Sequence, residues 1–149
     1  MAVLSVAEKE LEKGAREIGG NNRGSFVEKY LKPSGLRPPQ PWCAAFVSWC
    51  IAVAAKKEKK PSPLPYTTSA RRLLYAAIRA GMITHDPKPG DLVVWSRGSP
   101  SGPFGHIGIV AKRIGDEIET IEGNREPKVA TFKYRLGKMP RLLGFIRIP

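Results

Sequence analysis

One segment of this chain, from Trp42 to about Lys57, is apolar on nearly every side until its final lysines. A helix without a polar face has to be buried, so this pattern predicts a helix that other elements cover. Three prolines lie between Leu36 and Pro41, which indicates that the chain approaches this helix in an extended conformation. The remaining elements therefore have to pack around it.

The rest of the first half has the apolar spacing that is typical of amphipathic helices. We predict a first helix over residues 5–18, which ends at the glycine-rich segment Gly19–Gly24. A short helix over Ser25–Leu31 follows, with Ser25 as its expected N-cap, and a third amphipathic helix covers Ser69–Ala80.

From Pro89 onward the pattern changes to short apolar runs that glycine and proline separate, which predicts strands. These strands are Asp91–Ser96, Gly105–Arg113, Glu117–Glu122, Val129–Arg135 and Leu142–Ile148. Helices followed by strands indicate an α+β fold, in which N-terminal helices pack on a C-terminal antiparallel β-sheet of about five to six strands. We expect residues 1–149 to form a single domain.

Cys43 stands at the predicted start of the buried helix. A thiol at a helix N-terminus lies at the positive end of the helix dipole, which favours the thiolate. Cys50 follows two turns later, roughly 10 Å away, too far for a disulfide within one helix, and we interpret it as a core residue. No Cys-x-x-Cys motif or closely spaced histidine pair is present, so the sequence predicts no metal site and no cofactor.

A histidine at the start of the second predicted strand is the natural partner for this thiol. His106 can take the proton of Cys43 and return it to a leaving group. Strand alternation puts Glu122 and Asn124 on one face of the next strand, where either side chain would orient the imidazole. We favour Glu122, with Asn124 as a second polar contributor. The glycines that flank His106-Ile107 are expected to leave room for a substrate backbone.

Four further residues are candidates for substrate binding. Trp42, beside the thiol, either lines the cleft or belongs to the core, and Gln40 offers a side-chain donor three residues before the thiol. Asn22 and Arg23 either flank the groove or only form a turn. His85 lies in a turn-rich loop and is expected to have no chemical role.

The chain is strongly basic, with 25 lysines and arginines against 13 acidic residues and a formal net charge of +12. Such a charge attracts polyanions, so we expect contact with anionic envelope polymers. The run Lys56–Lys60 also suits the negative end of the buried helix. No zinc-finger or RNA-recognition signature and no membrane-spanning run is present, so neither a specific nucleic acid nor a membrane span is expected. Met1–Lys13 lacks the apolar core of a secretory signal, which predicts synthesis in the cytoplasm.

Four segments in order resemble the CHAP family, the cysteine, histidine-dependent amidohydrolases/peptidases of the papain-like, NlpC/P60-related superfamily. They are Pro41–Trp49, Pro89–Asp91, Gly105–Gly108 and Ile121–Asn124. The upstream segment Glu17–Gly24 is similar to a leader in a small-protein branch of that group. The resemblance therefore covers nearly the whole chain and implies a papain-like, NlpC/P60-like fold.

The resemblance also implies hydrolysis of peptidoglycan amide bonds, by an endopeptidase or an N-acetylmuramoyl-L-alanine amidase. Cys43 would be the nucleophile, His106 the general base and acid, and Glu122 the orienting residue. Asn124 matches an asparagine that often follows the family's acidic residue. The backbone N–H of Cys43 would form the oxyanion hole, with Gln40 as an additional donor. A phage lysin that leaves through a holin pore, or an injected toxin restrained by an immunity protein, would act on the wall after release.

Two other functions remain open from the sequence. A papain-like acyltransferase or deamidase would use the same thiol chemistry on another protein. A basic module that binds nucleic acid or the anionic envelope would carry a non-catalytic cysteine, and salt-sensitive retention on DNA without thiol reactivity would favour it.

Overall fold

The computed structural model describes residues 1–149 as four α-helices and a six-stranded sheet. The helices are α1 (Val3–Glu12), α2 (Ser25–Leu31), α3 (Cys43–Lys57) and α4 (Ala70–Arg79), and a 3-10 turn over Lys32–Ser34 follows α2. The strands are β1 (Ile83–Thr84), β2 (Leu92–Ser96), β3 (Gly105–Ile114), β4 (Glu117–Glu126), β5 (Lys128–Arg135) and β6 (Leu142–Ile146). All neighbours pair antiparallel, in the order β1-β6-β2-β3-β4-β5. The predicted α+β class is confirmed.

Helix α3 is covered by other helices and by the sheet, and α1 and α4 also contact strands directly. It packs against α1 and α2 and, from the sheet, against β3 and β4. One face of the sheet contributes Ile107, Ile109 and Ile121 to the core that surrounds it. Each aliphatic side chain that is fully buried in this way contributes roughly 1.5–3 kcal/mol to stability. The position of Cys43, the first residue of α3, is thus set by core packing.

The other face of the sheet carries a second apolar cluster. Strand alternation turns five buried side chains to this side, namely Val93, Trp95, Val110, Ile118 and Phe145. Side chains of β5 and of the segment that leads into β6 pack against them, among them Tyr134 and Met139. His106 and Glu122 alternate in phase with Val110 and Ile118, so they belong to this outer face.

The first helix is shorter than the sequence predicts. It spans Val3–Glu12 rather than residues 5–18, because Gly14 adopts a left-handed φ of 69° and turns the chain out of the helix. The following Arg16 instead makes a bridge to Lys128 in β5. Of the apolar residues beyond Glu12, Ala15 is buried and Ile18 is exposed, so their spacing does not mark a helical face.

Smaller differences concern the ends of elements. The N-cap of α2 is Gly24, and Ser25 is the first helical residue rather than the cap. Strand β4 continues to Glu126, and the short β1 has no clear signal in the sequence. Ser69 does cap α4, since its hydroxyl accepts the backbone N–H of Arg72. No helix in the structure is both long and apolar enough to cross a membrane.

Candidate active site

The thiol of Cys43 lies at the end of the sheet where β3 begins. Trp42 is the N-cap of α3 and Cys43 its first residue, so the thiol is at the positive end of the helix dipole. The residue is only 5% exposed. The backbone N–H of Ile107 donates a hydrogen bond to the sulfur. This position favours negative charge on the sulfur.

His106 and Glu122 form a buried pair, with Nε2 of the imidazole 2.7 Å from Oε1 of the carboxylate. The register that sets Ile109 opposite Ile121 also sets Gly108 opposite Glu122. The glutamate side chain therefore crosses Gly108 to reach the histidine. A Cβ at position 108 would lie 2.7 Å from Cγ of Glu122. Gly108 thus makes room for the glutamate and not for a substrate backbone, which corrects the role expected from the sequence.

The second oxygen of Glu122 is also occupied. Oε2 accepts hydrogen bonds from Thr120 Oγ1 at 2.5 Å and from the hydroxyl of Tyr134 at 2.7 Å. Arg125 in turn donates to the Tyr134 hydroxyl. Burial alone would raise the pKa of Glu122, but the hydrogen bonds from His106, Thr120 and Tyr134 hold it below its usual range. Glu122 is therefore a carboxylate with a fixed orientation.

The thiol and the imidazole shift each other's pKa in opposite directions. Burial alone would lower the pKa of His106, but hydrogen bonds to Cys43 and Glu122, with their charges, raise it to about 9. Burial opposes ionisation of Cys43, yet the hydrogen bond and charge of His106, the Ile107 N–H and the charge of Arg97 bring its pKa below the usual value. Both shifts favour the thiolate–imidazolium pair over the neutral thiol and imidazole.

Arg97 contacts the other ring nitrogen of His106. Its Nη2 lies 3.2 Å from Nδ1, so the guanidinium can donate there only while Nδ1 carries no proton. Arg97 begins the loop between β2 and β3. The buried Arg71 of α4 holds this loop by donating to three of its carbonyls, those of Ser99, Pro100 and Phe104.

A family comparison accounts for this arrangement. The model of the CHAP domain matches residues 36–124, more than half of the 149 residues. The chain belongs to the CHAP family. The matched span contains Cys43, His106 and Glu122, so the three residues that the fold brings together all lie within the CHAP domain.

Two solved structures share the fold of this chain over more residues than the family model matches. The crystal structure of Ly7917 superimposes with a TM-score of 0.61 at 16% identity, over 97% of this chain and 60% of that chain. The crystal structure of Ly7917 with the hydrolyzing product of MDP gives a TM-score of 0.58 at 17% identity, over 99% of this chain and 62% of that one. The CHAP chain thus spans less than two thirds of the length of either structure. No curated protein sequence matches it.

Asn124, the second polar candidate of the CHAP chain, makes no hydrogen bond to the histidine. Asn124 has a φ of 67°, in the left-handed region, and the regular pairing of β4 with β5 is interrupted between Glu122 and Glu126. The alternation that predicts Asn124 beside Glu122 therefore does not extend that far. The two ring nitrogens of His106 contact Glu122 and Arg97 instead.

Trp42 belongs to the core rather than to a cleft. It has no exposed surface, its Nε1 donates to Glu17 at 3.0 Å, and its ring stacks on Tyr30. A Cβ at Gly123 would lie 2.7 Å from the indole, so the end of β4 packs directly on this ring. Trp42 therefore positions the start of α3 next to the end of β4 that carries Glu122.

The other predicted substrate residues lie outside the Cys43–His106 contact. Asn22, with a φ of 57°, and Arg23 form a turn before α2. Arg23 also lines a cleft of about 720 Å³ to which neither Cys43 nor His106 contributes. Gln40 is half-buried in the segment before α3 and makes no hydrogen bond. No group of three or more His, Cys, Asp and Glu side chains is arranged to hold a metal ion.

Sequence reasoning missed three residues that contact the central pair. Thr120 had a usable signal, because it shares a strand face with Glu122 at a spacing of two. Arg97 and Tyr134 had none, because only the pairing of β2 with β3 and of β4 with β5 brings them to His106 and Glu122.

Proposed function

We propose that this CHAP chain is a peptidoglycan hydrolase that cuts an amide bond in the bacterial cell wall through thiol chemistry. The observation that carries the proposal is the thiol of Cys43 at the start of α3, beside a histidine that a buried carboxylate orients. Family membership supports the same reaction class. A neighbour of the same fold is described with the hydrolyzing product of MDP, which supports the wall as the substrate.

In the first half-reaction, the sulfur of Cys43 attacks the carbonyl carbon of the amide, and a carbon–sulfur bond forms. The oxyanion of the tetrahedral intermediate accepts the backbone N–H of Cys43, which has no partner within the helix because it lies in the first turn. His106 then gives its proton to the leaving nitrogen as the carbon–nitrogen bond breaks. The products are a free amine and a thioester on Cys43.

In the second half-reaction, the neutral imidazole of His106 takes a proton from water, whose oxygen attacks the thioester. The carbon–sulfur bond breaks, the acid leaves, and the thiolate–imidazolium pair is restored. Glu122 stays ionised throughout and keeps Nε2–H of His106 in one orientation, as the third member of a catalytic triad does. No cofactor takes part in this sequence.

Purified peptidoglycan sacculi test this proposal directly. We expect the protein to clear a sacculus suspension and to release fragments whose masses identify the bond. An amidase would release stem peptides with a free N-terminal alanine, and an endopeptidase would release fragments cut within the peptides. The Cys43→Ala variant is the matched control and should release nothing. Intact sacculi after incubation with wild-type protein whose thiol alkylates readily would contradict a wall substrate and favour a protein substrate for the same thiol.

The place of action follows from the substrate. We propose that the protein works on the wall after release from the cell that makes it, as a phage lysin or an injected toxin would. Its net charge of +12 supports attraction to an anionic envelope.

A further inference from the structure

A cavity of about 310 Å³ opens beside His106 on the outer face of the sheet. Its wall contains the histidine itself, two aromatic rings and three arginines that come from three different segments. These residues are His106, Trp95, Tyr134, Arg97, Arg125 and Arg141. The cavity is therefore contiguous with the group that the proposed reaction uses as its base.

None of the three arginines is paired with a carboxylate. The ion pairs of the molecule involve other side chains, and Glu122, which contacts His106, has both oxygens occupied by His106, Thr120 and Tyr134. Three guanidinium groups around one cavity repel each other, and an anion between them would remove that repulsion. This electrostatic pattern is that of a site built for a negatively charged group.

We propose that this cavity binds a free carboxylate of the peptide next to the scissile amide, so that the enzyme prefers acidic stem peptides over amidated ones. The inference rests on the proposed function, because it assigns a specificity site to that reaction. The cavity also presents Trp95, Tyr134 and Met139, which suit the carbon atoms of one amino-acid residue. A single side chain with a carboxylate thus matches both the size and the lining better than a phosphate polymer does.

Arg97 connects the site to the chemistry. In the structure it contacts Nδ1 of His106, which accepts this bond only when unprotonated. Once Nδ1 carries the proton that is destined for the leaving group, Arg97 loses this acceptor and repels the imidazolium. A substrate carboxylate in the cavity offers the guanidinium a bidentate partner instead. Binding of the carboxylate therefore favours the protonated histidine that the reaction requires.

Two synthetic muropeptides that differ in one group test the site: N-acetylmuramoyl-L-Ala-γ-D-Glu-L-Lys-D-Ala with a free α-carboxylate on the glutamate, and the same compound with a carboxamide there. The muramoyl group keeps the bond that an amidase would cut in both substrates. Arg141→Gln is the informative variant, because Arg141 makes no side-chain hydrogen bond and its backbone N–H and C=O are kept. Arg79→Gln on α4 removes the same charge far from the cavity and is the matched control.

We expect the wild type to have a kcat/KM about tenfold or more higher for the carboxylate peptide, the size of one charge-assisted hydrogen bond. Arg141→Gln should reduce the ratio of the two kcat/KM values several-fold, while Arg79→Gln should leave this ratio unchanged. Equal kcat/KM values for the two peptides in the wild type, or an Arg141→Gln variant that slows both equally, would overturn the site.

Binding to the Cys43→Ala protein separates this inference from the proposed function. Titration calorimetry with the two peptides needs no turnover and should show tighter binding of the carboxylate form. Selective binding without any hydrolysis by the wild type would refute the proposed hydrolysis and support the carboxylate site. Hydrolysis of both substrates without selective binding would support the proposed hydrolysis and refute the carboxylate site.

Discussion

The two thiols of helix α3 are the same chemical group in opposite environments. Cys43 is the first residue of the helix, and its pKa is lowered by His106 despite burial. Cys50 lies two turns further along, fully buried, and burial together with the negative charge of Glu10 raises its pKa well above the usual value. Burial is common to both, so it does not distinguish a reactive thiol from an inert one. The charged partner and the helix end do.

Substitution of each cysteine should separate the two environments most sharply. Cys43→Ala should lower the rate of wall hydrolysis by about 10⁴-fold or more, as loss of a nucleophile does, and leave the fold intact. Cys50→Ser should keep the chemistry but cost about 1–3 kcal/mol of unfolding free energy, because it buries a hydroxyl. Fragment release and urea unfolding measure the two effects. In the native wild type, iodoacetamide at neutral pH should modify Cys43 alone, and equal modification of both thiols would contradict the comparison.

The His106–Glu122 pair should give the next largest effects. His106→Ala should be nearly as damaging as Cys43→Ala, because groups that act as a unit have non-additive effects. Glu122→Gln should be milder, with a loss of about 10–100-fold, since the amide oxygen can still accept the imidazole N–H. Asn124→Ala is the matched control, because its side chain makes no hydrogen bond to the histidine. If Glu122→Ala kept full activity and Asn124→Ala lost activity, Asn124 and not Glu122 would be the residue that orients His106.

The dependence of kcat/KM on pH should report the opposite pKa shifts. The active pair needs a deprotonated Cys43 and a protonated His106. Activity should therefore rise as pH passes the lowered pKa of Cys43 and fall as His106 loses its proton near pH 9. In Glu122→Gln the alkaline fall should move to lower pH, because a carboxylate that stabilises the imidazolium is lost. An alkaline limb that stays in place in this variant would contradict the assignment.

Local patterns in the sequence were sufficient to predict the fold class and the proximity of Cys43, His106 and Glu122. The apolar run of α3 and the strand alternation around His106 and Glu122 depend on near neighbours, and the structure keeps both. The misassigned details depend on backbone turns, such as the left-handed Gly14 that ends α1 and the left-handed Asn124 that breaks the alternation. Arg97 and Tyr134 reach the site only through strand register, which no local pattern contains.

The smallest effect is expected at the far end of α3, where basic residues gather instead of a reactive thiol. Lys56 and Lys57 lie in its last turn, roughly 20 Å from Cys43. Contact with Lys9 of α1 lowers the pKa of Lys57, which indicates that cations from two helices crowd together on this exposed surface. If this basic patch, which comprises Lys9 and the lysines of the run Lys56–Lys60, attracts the protein to an anionic wall, sacculus lysis should fall several-fold as salt rises to physiological strength, where the screening length is about 8 Å. Cleavage of soluble peptides should change much less.

Reversal of two charges just beyond the helix tests the patch without placing acids in its last turn, where they would oppose the helix dipole. Lys59→Glu with Lys60→Glu should reduce lysis of intact sacculi at low salt and flatten its salt dependence. Lys112→Glu with Arg72→Glu changes the net charge by the same amount elsewhere and should have a weaker effect, since neither residue belongs to the patch and Arg72 lies in the first turn of α4. If the two double variants lose the same activity, net charge rather than this surface directs the enzyme to the wall. If neither loses any, the charge has no part in targeting, and the reactivity of Cys43 alone accounts for lysis.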